Sequence, residues 1–189
     1  DDRFGSLTLP LPLLPGAHQA DNAALAVAML RHQDRIAVSP EAMASGILAA
    51  RWPARLQRLG DGPLTALVAP RTVWLDGGHN PDAGLAIARF FADSPQPLHL
   101  ILGMLANKDP AAILAPLAGR LASVSIVPAP GHDAHAPEDF APFTTLPVRN
   151  FGNVDAALAA LPSGPGDVLI AGSLYLAGEV LRLNREFPD

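Results

Sequence analysis

The sequence predicts an α/β fold: a Rossmann-like, mostly parallel, doubly wound sheet with flanking helices. Beyond about residue 50, short apolar segments alternate with longer amphipathic segments. This alternation is typical of repeated βα units, in which a helix connects each strand to a parallel neighbour. The predicted strands are residues 72–76, 98–102, 124–127, 147–149 and 168–171.

The helices between these strands are predicted partly from their caps. Asn80 is a favourable N-cap, and Pro81 suits the first helical position because its missing N–H would be unpaired there in any case. The predicted helices of this part are residues 81–92, 110–119, 137–143, 154–161 and 174–187.

The first fifty residues have a different character. Residues 7–14 contain too much proline for a central strand and predict an edge strand or an extended lead-in. A helix is predicted from about Asp21, with Asp21 or an earlier residue as its cap, to about Gln33. The sequence Ser39-Pro40-Glu41 predicts the start of a second helix that ends near residue 50.

A domain boundary is predicted close to residue 50. Trp52 precedes Pro53, and the residue before a proline is disfavoured in a helix. We therefore expect two parts, residues 1–50 and residues 51–189.

Composition and charge exclude several functional classes. The 189 residues include no cysteine, which excludes disulfide scaffolds, thiol catalysis and cysteine zinc sites. The net charge of −5 and the dispersed basic residues argue against a nucleic-acid surface. No apolar stretch reaches the roughly 20 residues needed to span a bilayer, and no signal peptide is visible. We expect a cytoplasmic protein with neither nucleic acid nor membrane as a partner.

One loop contains residue types that are common in metal sites. His132 and His135 are followed by Glu138 and Asp139. Histidine ligands need partners that fix their orientation, and nothing in this proline-flanked sequence guarantees them. We expect a solvated loop and no metal site.

Ligands of such sheets bind beyond the carboxyl ends of the strands, so the turns that follow strands are the expected sites. Asp76 ends a predicted strand, where its carboxylate can accept hydrogen bonds from ribose hydroxyls. Two glycines follow and allow close approach to a ligand. His79 lies beside the N-terminus of the next helix, which favours an anion such as phosphate. The alternative, given equal weight, is a well-capped turn with a solvent-facing His79.

Two further candidates precede this strand. Arg55 can reach a phosphate across a cleft with bidentate hydrogen bonds; the alternative is a surface arginine beside a buried Trp52. His18, Gln19 and Asn22 surround a predicted helix start, where the amides can read the edge of a base and the imidazole can pack on its face. The alternative for these three is ordinary helix capping.

Two more candidates follow strands. Residues 103–109 resemble half of a phosphate-binding loop but lack its second glycine and its hydroxyl residue, and no complete P-loop occurs in the sequence. Lys108 can still supply a cation there, while Asp109 can cap the next helix. Ser173 follows the last buried strand without the Gly-x-Ser-x-Gly pattern of a nucleophile. It is either an N-cap or a contact for a polar substrate.

The motifs become specific through their order. The chain contains, in sequence, Gly-Ala-His-Gln-x-x-Asn, Trp-Pro-x-Arg-Leu-Gln, Asp-Gly-Gly-His-Asn-Pro, Gly-Met-Leu-x-Asn-Lys-Asp and Gly-Ser-Leu-Tyr-Leu-Ala-Gly-Glu-Val. In this order they resemble the C-terminal part of bacterial folylpolyglutamate synthase/dihydrofolate synthase, a family of the Mur ligase superfamily. The resemblance covers nearly the whole chain. It implies that residues 1–50 are the mainly helical end of a central ATP-binding domain, and that residues 51–189 are the glutamate-ligase domain.

The resemblance also implies a reaction. Such a ligase uses ATP to phosphorylate a pterin-bearing carboxylate, dihydropteroate or a reduced folate, and L-glutamate then displaces the phosphate. It places Asp76 on the ATP ribose, Arg55 on the terminal phosphate and His79 near the nucleotide or the reacting groups. The candidate nucleotide-binding residues are Asp76, His18, Gln19, Asn22 and Lys108; the candidate catalytic residues are Arg55 and His79; the candidate glutamate contact is Ser173.

The family's ATP and Mg²⁺ are bound mainly by an N-terminal domain that these 189 residues do not contain. We expect a monomer that needs this domain, with little or no activity of the chain alone. The alternatives are another Mur-type amino-acid ligase domain and a non-catalytic nucleotide-binding module.

Three features depart from the family's pattern. Ala54 occupies a position that is usually glycine, and Gly78 one that is usually alanine. Residues 58–70 predict a longer surface loop, which separates Arg55 from Asp76 along the chain.

Overall fold

The computed structural model describes residues 3–186. They belong to two compact units, of which the first extends to Trp52 and the second begins at Pro53. Within residues 3–186, no helix is both long enough and apolar enough to cross a membrane.

The first unit contains two helices, α1 (His18–Arg31) and α2 (Pro40–Ala49). The start of α2 is as predicted, since the Ser39 hydroxyl accepts a hydrogen bond from the Ala42 N–H at 3.2 Å. The cap of α1 is an earlier residue than Asp21: Ala17 occupies the N-cap and provides no side-chain hydrogen bond. Asp21 lies in the first turn of α1, where its negative charge interacts favourably with the helix dipole.

The second unit is built on one six-stranded sheet. Its strands are β1 (Gln57–Arg58), β2 (Val73–Asp76), β3 (Leu98–Leu102), β4 (Leu121–Ile126), β5 (Val148–Asn150) and β6 (Asp167–Ala171). The sheet order is β1-β2-β6-β3-β4-β5. All neighbours are parallel except β1 and β2, which are antiparallel. The predicted mostly parallel sheet is confirmed.

Helices cover both faces of this sheet. They are α3 (Pro63–Ala66), α4 (Pro81–Phe91), α5 (Ala111–Leu117), α6 (Val154–Ala159) and α7 (Leu174–Asn184). Along β6, Val168 and Ile170 belong to the apolar cluster that includes residues of α6 and α7. Leu169 and Ala171 belong to a second cluster, which includes residues of α4 and α5. Successive side chains of a strand point to opposite faces, so the two clusters lie on the two sides of the sheet.

Residues 58–70 are not the surface loop that the sequence predicts. They include the end of β1 and the helix α3, and they bury Leu59, Leu64 and Val68 in the first apolar cluster. The side chain of Asn184, at the end of α7, accepts a hydrogen bond from the Leu64 N–H at 3.1 Å. Burial of these three apolar side chains stabilises the segment in its packed conformation.

Two predicted helices have different ends in the structure. α7 ends at Asn184, and the next residue, Arg185, adopts the left-handed conformation with a φ of 59°. The predicted end at Phe187 lies outside the described residues. The segment predicted as one helix, residues 137–143, forms two short 3₁₀ turns instead, because Pro142 has no N–H with which to continue a helix.

Gly84 and Gly178 provide a matched test of how closely α4 packs against α5. A Cβ atom at Gly84 would lie 1.9 Å from the carbonyl oxygen of Ala112, whereas nothing lies within 4 Å of one at Gly178. Gly84→Ala is expected to lower the free energy of unfolding by about 1–3 kcal/mol, because the two helices must separate. Gly178→Ala is expected to raise it by about 0.5–1 kcal/mol through helix propensity. Urea unfolding measures both, and equal effects would contradict the close packing.

His99 on β3 is a buried titratable residue at the opposite edge of the sheet from the candidate turns. Its Nδ1 atom lies 2.9 Å from the hydroxyl of Ser123. Burial is the main cause that lowers the pKa of His99 below its ordinary value of 6.5. The positive charges of Arg71 and Arg149 also lower this pKa, while a hydrogen bond with the backbone of Pro165 opposes them.

Because folding lowers the pKa of His99, the unfolded chain binds this proton more readily than the folded one. The part of the free energy of unfolding that depends on His99 is therefore fully present above about pH 6.5. It decreases as the pH falls through and below that value. His99→Asn keeps a polar contact to Ser123 but does not titrate, so this variant is expected to lose less stability on acidification. Unfolding midpoints from about pH 5 to pH 7.5 measure the difference. Parallel pH profiles would show that His99 does not contribute.

Candidate functional site

The sheet order brings three candidate turns to one edge. β6 lies between β2 and β3, and all three strands are parallel. Their carboxyl ends therefore meet at the same edge of the sheet. Asp76 ends β2, Ser173 follows β6, and Lys108 lies in the turn after β3. These residues are distant in the sequence, and their proximity results from the insertion of the last strand between two earlier ones.

Asp76 is buried and holds two backbone segments together. One carboxylate oxygen accepts a hydrogen bond from the Leu56 N–H at 2.8 Å, and the other accepts one from the Gly78 N–H at 2.6 Å. Hydrogen bonds to an ionised acceptor are the stronger kind. The carboxylate thus fixes both the turn after β2 and the turn that contains Arg55.

The turn that contains Arg55 has an unusual backbone. Ala54 and Leu56 have φ angles of 56° and 45°, in the left-handed region that favours glycine. The Ala54 carbonyl accepts a hydrogen bond from the Gly77 N–H at 2.9 Å, and the Ala54 N–H donates to the side chain of Gln57 at 2.9 Å. The structure therefore places the backbone of Arg55 directly beside the Asp76 turn, despite the long segment between them.

The alternative interpretation of Arg55 is wrong in one respect. It requires a buried Trp52, and the structure leaves that side chain 61% exposed. Arg55 itself is half-buried. The role of Arg55 on a phosphate stays a prediction.

His79 lies at the start of α4 and is half-buried. Its Nδ1 atom lies 3.2 Å from the Gly77 carbonyl oxygen. Because a carbonyl can only accept, Nδ1 carries the proton, and Nε2 is the acceptor of the neutral ring. Asn80 caps α4 as predicted, accepting a hydrogen bond from the Ala83 N–H at 2.9 Å.

Ser173 is the N-cap of α7, and its hydroxyl accepts a hydrogen bond from the Tyr175 N–H at 3.1 Å. The side chain is only 2% exposed. The preceding Gly172 has a φ of 111°, and a Cβ atom there would lie 2.7 Å from the Met104 side chain and 2.9 Å from the Gly103 carbonyl oxygen. The turns after β6 and β3 are thus in direct contact. The predicted role of Ser173 as an N-cap is confirmed. Its contact with glutamate stays a prediction.

Lys108 lies in the turn after β3 and is half-buried. Asp109 caps the following helix as expected, since its side chain accepts a hydrogen bond from the Ala111 N–H at 2.9 Å. Sequence reasoning missed another neighbour: His135 Nε2 lies 2.6 Å from the Lys108 carbonyl oxygen. The only signal for His135 in the sequence is its resemblance to a metal ligand.

The loop with the two histidines is exposed over most of its length, as predicted, but His135 is packed. The side chain of His135 is 11% exposed, and both ring nitrogens have partners, the Lys108 carbonyl and the Asp139 carboxylate. The His132 ring lies 3.8 Å from the Tyr175 ring, measured between centroids. Within the described part of the chain, no three histidine or carboxylate side chains are placed to share a metal ion.

His18, Gln19 and Asn22 belong to the first unit and form a hydrogen-bonded series on α1. The Gln19 side chain lies 3.0 Å from His18 Nε2 and accepts a hydrogen bond from the Asn22 side chain at 3.1 Å. Because α1 begins at His18, these side chains lie within its first turns rather than before them. The capping interpretation is therefore wrong for them, and base recognition stays a prediction.

Comparison with known proteins gives the chain a clear set of relatives. No protein-family profile matches it. The folylpolyglutamate synthase of Lacticaseibacillus casei is 33% identical over 192 residues, which cover 95% of this chain and 41% of that protein. The chain is similar to folylpolyglutamate synthases. A probable bifunctional folylpolyglutamate synthase/dihydropteroate synthase of Haloferax volcanii is 36% identical over 185 residues, which cover 92% of this chain and 20% of that protein.

Solved structures of folylpolyglutamate synthases share this fold. Escherichia coli FolC in complex with DHPP and ADP has a TM-score of 0.71 and 28% identity, over 96% of this chain and 42% of that one. Mycobacterium tuberculosis folylpolyglutamate synthase, complexed with ADP and AMPPCP, has a TM-score of 0.69 and 28% identity, over 97% of this chain and 43% of that one. The chain spans less than half of the length of these relatives. The resemblance to folylpolyglutamate synthases that the motifs predict is confirmed.

The left-handed backbone at Ala54 makes a testable prediction, because this region of backbone conformation favours glycine. Ala54→Gly relieves about 1–2 kcal/mol of strain. It also removes a buried methyl group, which lowers the free energy of unfolding by about 0.8 kcal/mol. The greater conformational freedom of the unfolded chain lowers it by about 0.4–1 kcal/mol more. These contributions nearly cancel, so the free energy of unfolding is expected to change by less than about 1 kcal/mol.

Ala54→Val is the contrasting variant, because a β-branched side chain is poorly tolerated in the left-handed region and would overpack a buried position. It is expected to lose at least about 2 kcal/mol of stability. Chemical denaturation measures both variants. Equal stability of the glycine and valine variants would contradict the left-handed backbone.

Proposed function

We propose that the chain supplies the glutamate-adding part of an ATP-dependent ligase, in which a carboxylate is activated as an acyl phosphate and the amine of L-glutamate displaces phosphate. The observation that carries this proposal is the hydrogen-bonded pair of turns that joins Arg55 to Asp76 at the carboxyl edge of the sheet. The similarity to folylpolyglutamate synthases supports dihydropteroate or a reduced folate as the acceptor.

The chemistry of this edge suits phosphate transfer to a carboxylate. Attack on an acyl phosphate depends on positioning and charge neutralisation more than on covalent catalysis. In this proposal Arg55 binds the terminal phosphate, because a guanidinium can donate two parallel hydrogen bonds to phosphate oxygens. Lys108 adds a second positive charge at the same edge of the sheet, beyond β3.

Asp76 has two tasks in this proposal. Its two oxygens already hold the N–H groups of Leu56 and Gly78. In this proposal the same carboxylate also accepts a ribose hydroxyl. Asp76 therefore orients the nucleotide and the turn of Arg55 together.

His79 and Ser173 complete the site on either side. The Nδ1 atom of His79 is turned to Gly77, which leaves Nε2 to contact the nucleotide or the reacting groups. The hydroxyl of Ser173 accepts one hydrogen bond as a cap, and its proton remains a donor for the carboxylate of glutamate.

In this proposal the residues of this chain contact the nucleotide but do not hold the magnesium ion. Among residues 3–186, no three carboxylate or histidine side chains come together as metal ligands. The sequence also lacks a P-loop, which binds phosphates and provides a hydroxyl to Mg²⁺. We propose that Mg²⁺, which supplies charge neutralisation on the phosphates, is held by a part of the enzyme outside this sequence.

The surface of the first unit also supports contact with a further part of the enzyme. Large apolar side chains are exposed on it: Leu11, Leu13, Leu25, Met29 and Ile36. Apolar surface of this kind often marks contact with another protein surface. We propose that residues 1–50 complete a central ATP-binding domain, in which His18, Gln19 and Asn22 lie on the nucleotide side, within a monomeric cytoplasmic enzyme.

The test is ligase activity of the complete protein that carries this sequence. It is expected to consume ATP and L-glutamate in the presence of dihydropteroate or tetrahydrofolate. Arg55→Ala is expected to lower kcat at least tenfold, because the terminal phosphate loses its guanidinium. Arg58→Ala, at an exposed neighbour on β1, is the matched control and is expected to stay within twofold of wild type.

Three results would contradict the proposal. Wild-type turnover of Arg55→Ala would mean that the ATP site lies elsewhere. A complete protein that adds amino acids only to peptidoglycan precursors would favour another Mur-type ligase. Ligation by the 189-residue chain alone would contradict the need for a further domain.

A further inference from the structure

We propose that His135 is a positioning residue that sets the conformation of the Lys108 turn. Together with Asp139 it forms a clamp, called here the His135–Asp139 clamp, between the loop after β4 and the turn after β3. The proposal rests on the proposed role of Lys108 at the anionic substrates, and it goes beyond that role by assigning what holds Lys108 in place.

The direct contact is made by the imidazole. Its Nε2 atom lies 2.6 Å from the Lys108 carbonyl oxygen, and since a carbonyl can only accept, Nε2 must donate. The His135 side chain is only 11% exposed, so water competes little for this hydrogen bond. The bond therefore restrains the backbone at the residue that carries the cation.

The imidazole is itself held on two further sides. Asp139 places one carboxylate oxygen 3.2 Å from His135 Nδ1 and 3.0 Å from the Ala136 N–H. The buried ring of Phe140 meets the imidazole edge to face, with 5.5 Å between centroids and 78° between planes. With Nε2 donating to the Lys108 carbonyl, Nδ1 donates to Asp139 only in the doubly protonated ring, whereas the carbonyl and the Phe140 contact restrain the imidazole in either form.

Backbone contacts align the two segments that the clamp joins. The Ala106 N–H donates to the Asp133 carbonyl at 3.0 Å, and Leu105 pairs with Ala134 as an isolated antiparallel bridge. This pairing ends before Lys108. The side chain of His135 extends the connection to Lys108, where the turn has no strand to support it.

In this proposal the side chain of Lys108 is available to an anionic substrate. Within residues 3–186, no carboxylate forms an ion pair with Lys108, whereas the carboxylate of Asp139 is directed to His135. A lysine has a long and flexible side chain, so the position of its ammonium depends on how well its backbone is held. Fixing the Lys108 carbonyl restrains the backbone from which the side chain extends before the substrate binds, while the side-chain torsions stay free.

Two substitutions separate the proposed hydrogen bond from the rest of the ring. The amide nitrogen of glutamine can replace Nε2 and donate to the Lys108 carbonyl, whereas asparagine is too short and reaches only the position of Nδ1. In the complete protein, His135→Asn is expected to raise KM for ATP or for glutamate at least fivefold, with kcat changed less than twofold. His135→Gln is expected to stay within twofold of wild type in both constants.

A double-mutant cycle shows whether His135 acts through Lys108. If it does, His135→Asn in a Lys108→Ala background changes KM by less than twofold, because there is no ammonium left to position. Additive effects of the two substitutions, or a glutamine variant as impaired as the asparagine variant, would overturn the proposal.

Hydrogen exchange gives a readout that does not need activity. His135→Asn is expected to accelerate exchange of the Ala106 and Lys108 amides at least tenfold, while amides of β6 keep their protection. If His135→Asn does not fold, Asp139→Asn replaces it, with faster exchange confined to the same turn. Unchanged exchange of both amides would overturn the clamp even in an active enzyme. An inactive wild-type protein with the expected exchange would instead overturn only the proposed function.

Discussion

The carboxylate of Asp76 is the interaction on which the candidate site depends. It joins two segments that are distant in the sequence by accepting hydrogen bonds from the N–H groups of Leu56 and Gly78. The group is buried, so its loss would leave two donors without a partner where water cannot easily replace it. A left-handed turn at Ala54 and Leu56 is tolerated because this carboxylate, together with Gly77, holds it in place.

The sheet order is the second requirement. Strand β6 comes last in the chain but pairs with both β2 and β3. This insertion places the Ser173 turn between the turns of Asp76 and Lys108, and Gly172 allows the close approach to Gly103. A parallel pairing of this kind requires long connections, so none of these neighbours is local in the sequence.

The helix caps show what could be predicted from the sequence. Ser39 and Asn80 cap their helices as expected, because a cap is a local interaction between residues three apart. Residues 58–70 show the opposite case: Leu59 and Leu64 are buried by partners on distant elements, which no local pattern reveals. His135 was missed as a neighbour of Lys108 for the same reason, since its contact depends on how two loops pack.

By itself, the sequence determined the class of the fold, most helix and strand positions and the resemblance to folylpolyglutamate synthases, because these depend on periodicity, caps and motif order. It also marked Ala54 as a departure from the glycine that the resemblance implies, whereas the left-handed backbone there is known only from the structure. Only the tertiary structure decided that Asp76 holds the Arg55 turn, that Ser173 is a buried cap and that His135 supports Lys108. Each of these contacts joins residues through the packing of strands or loops, and their geometry exists only once the chain is folded.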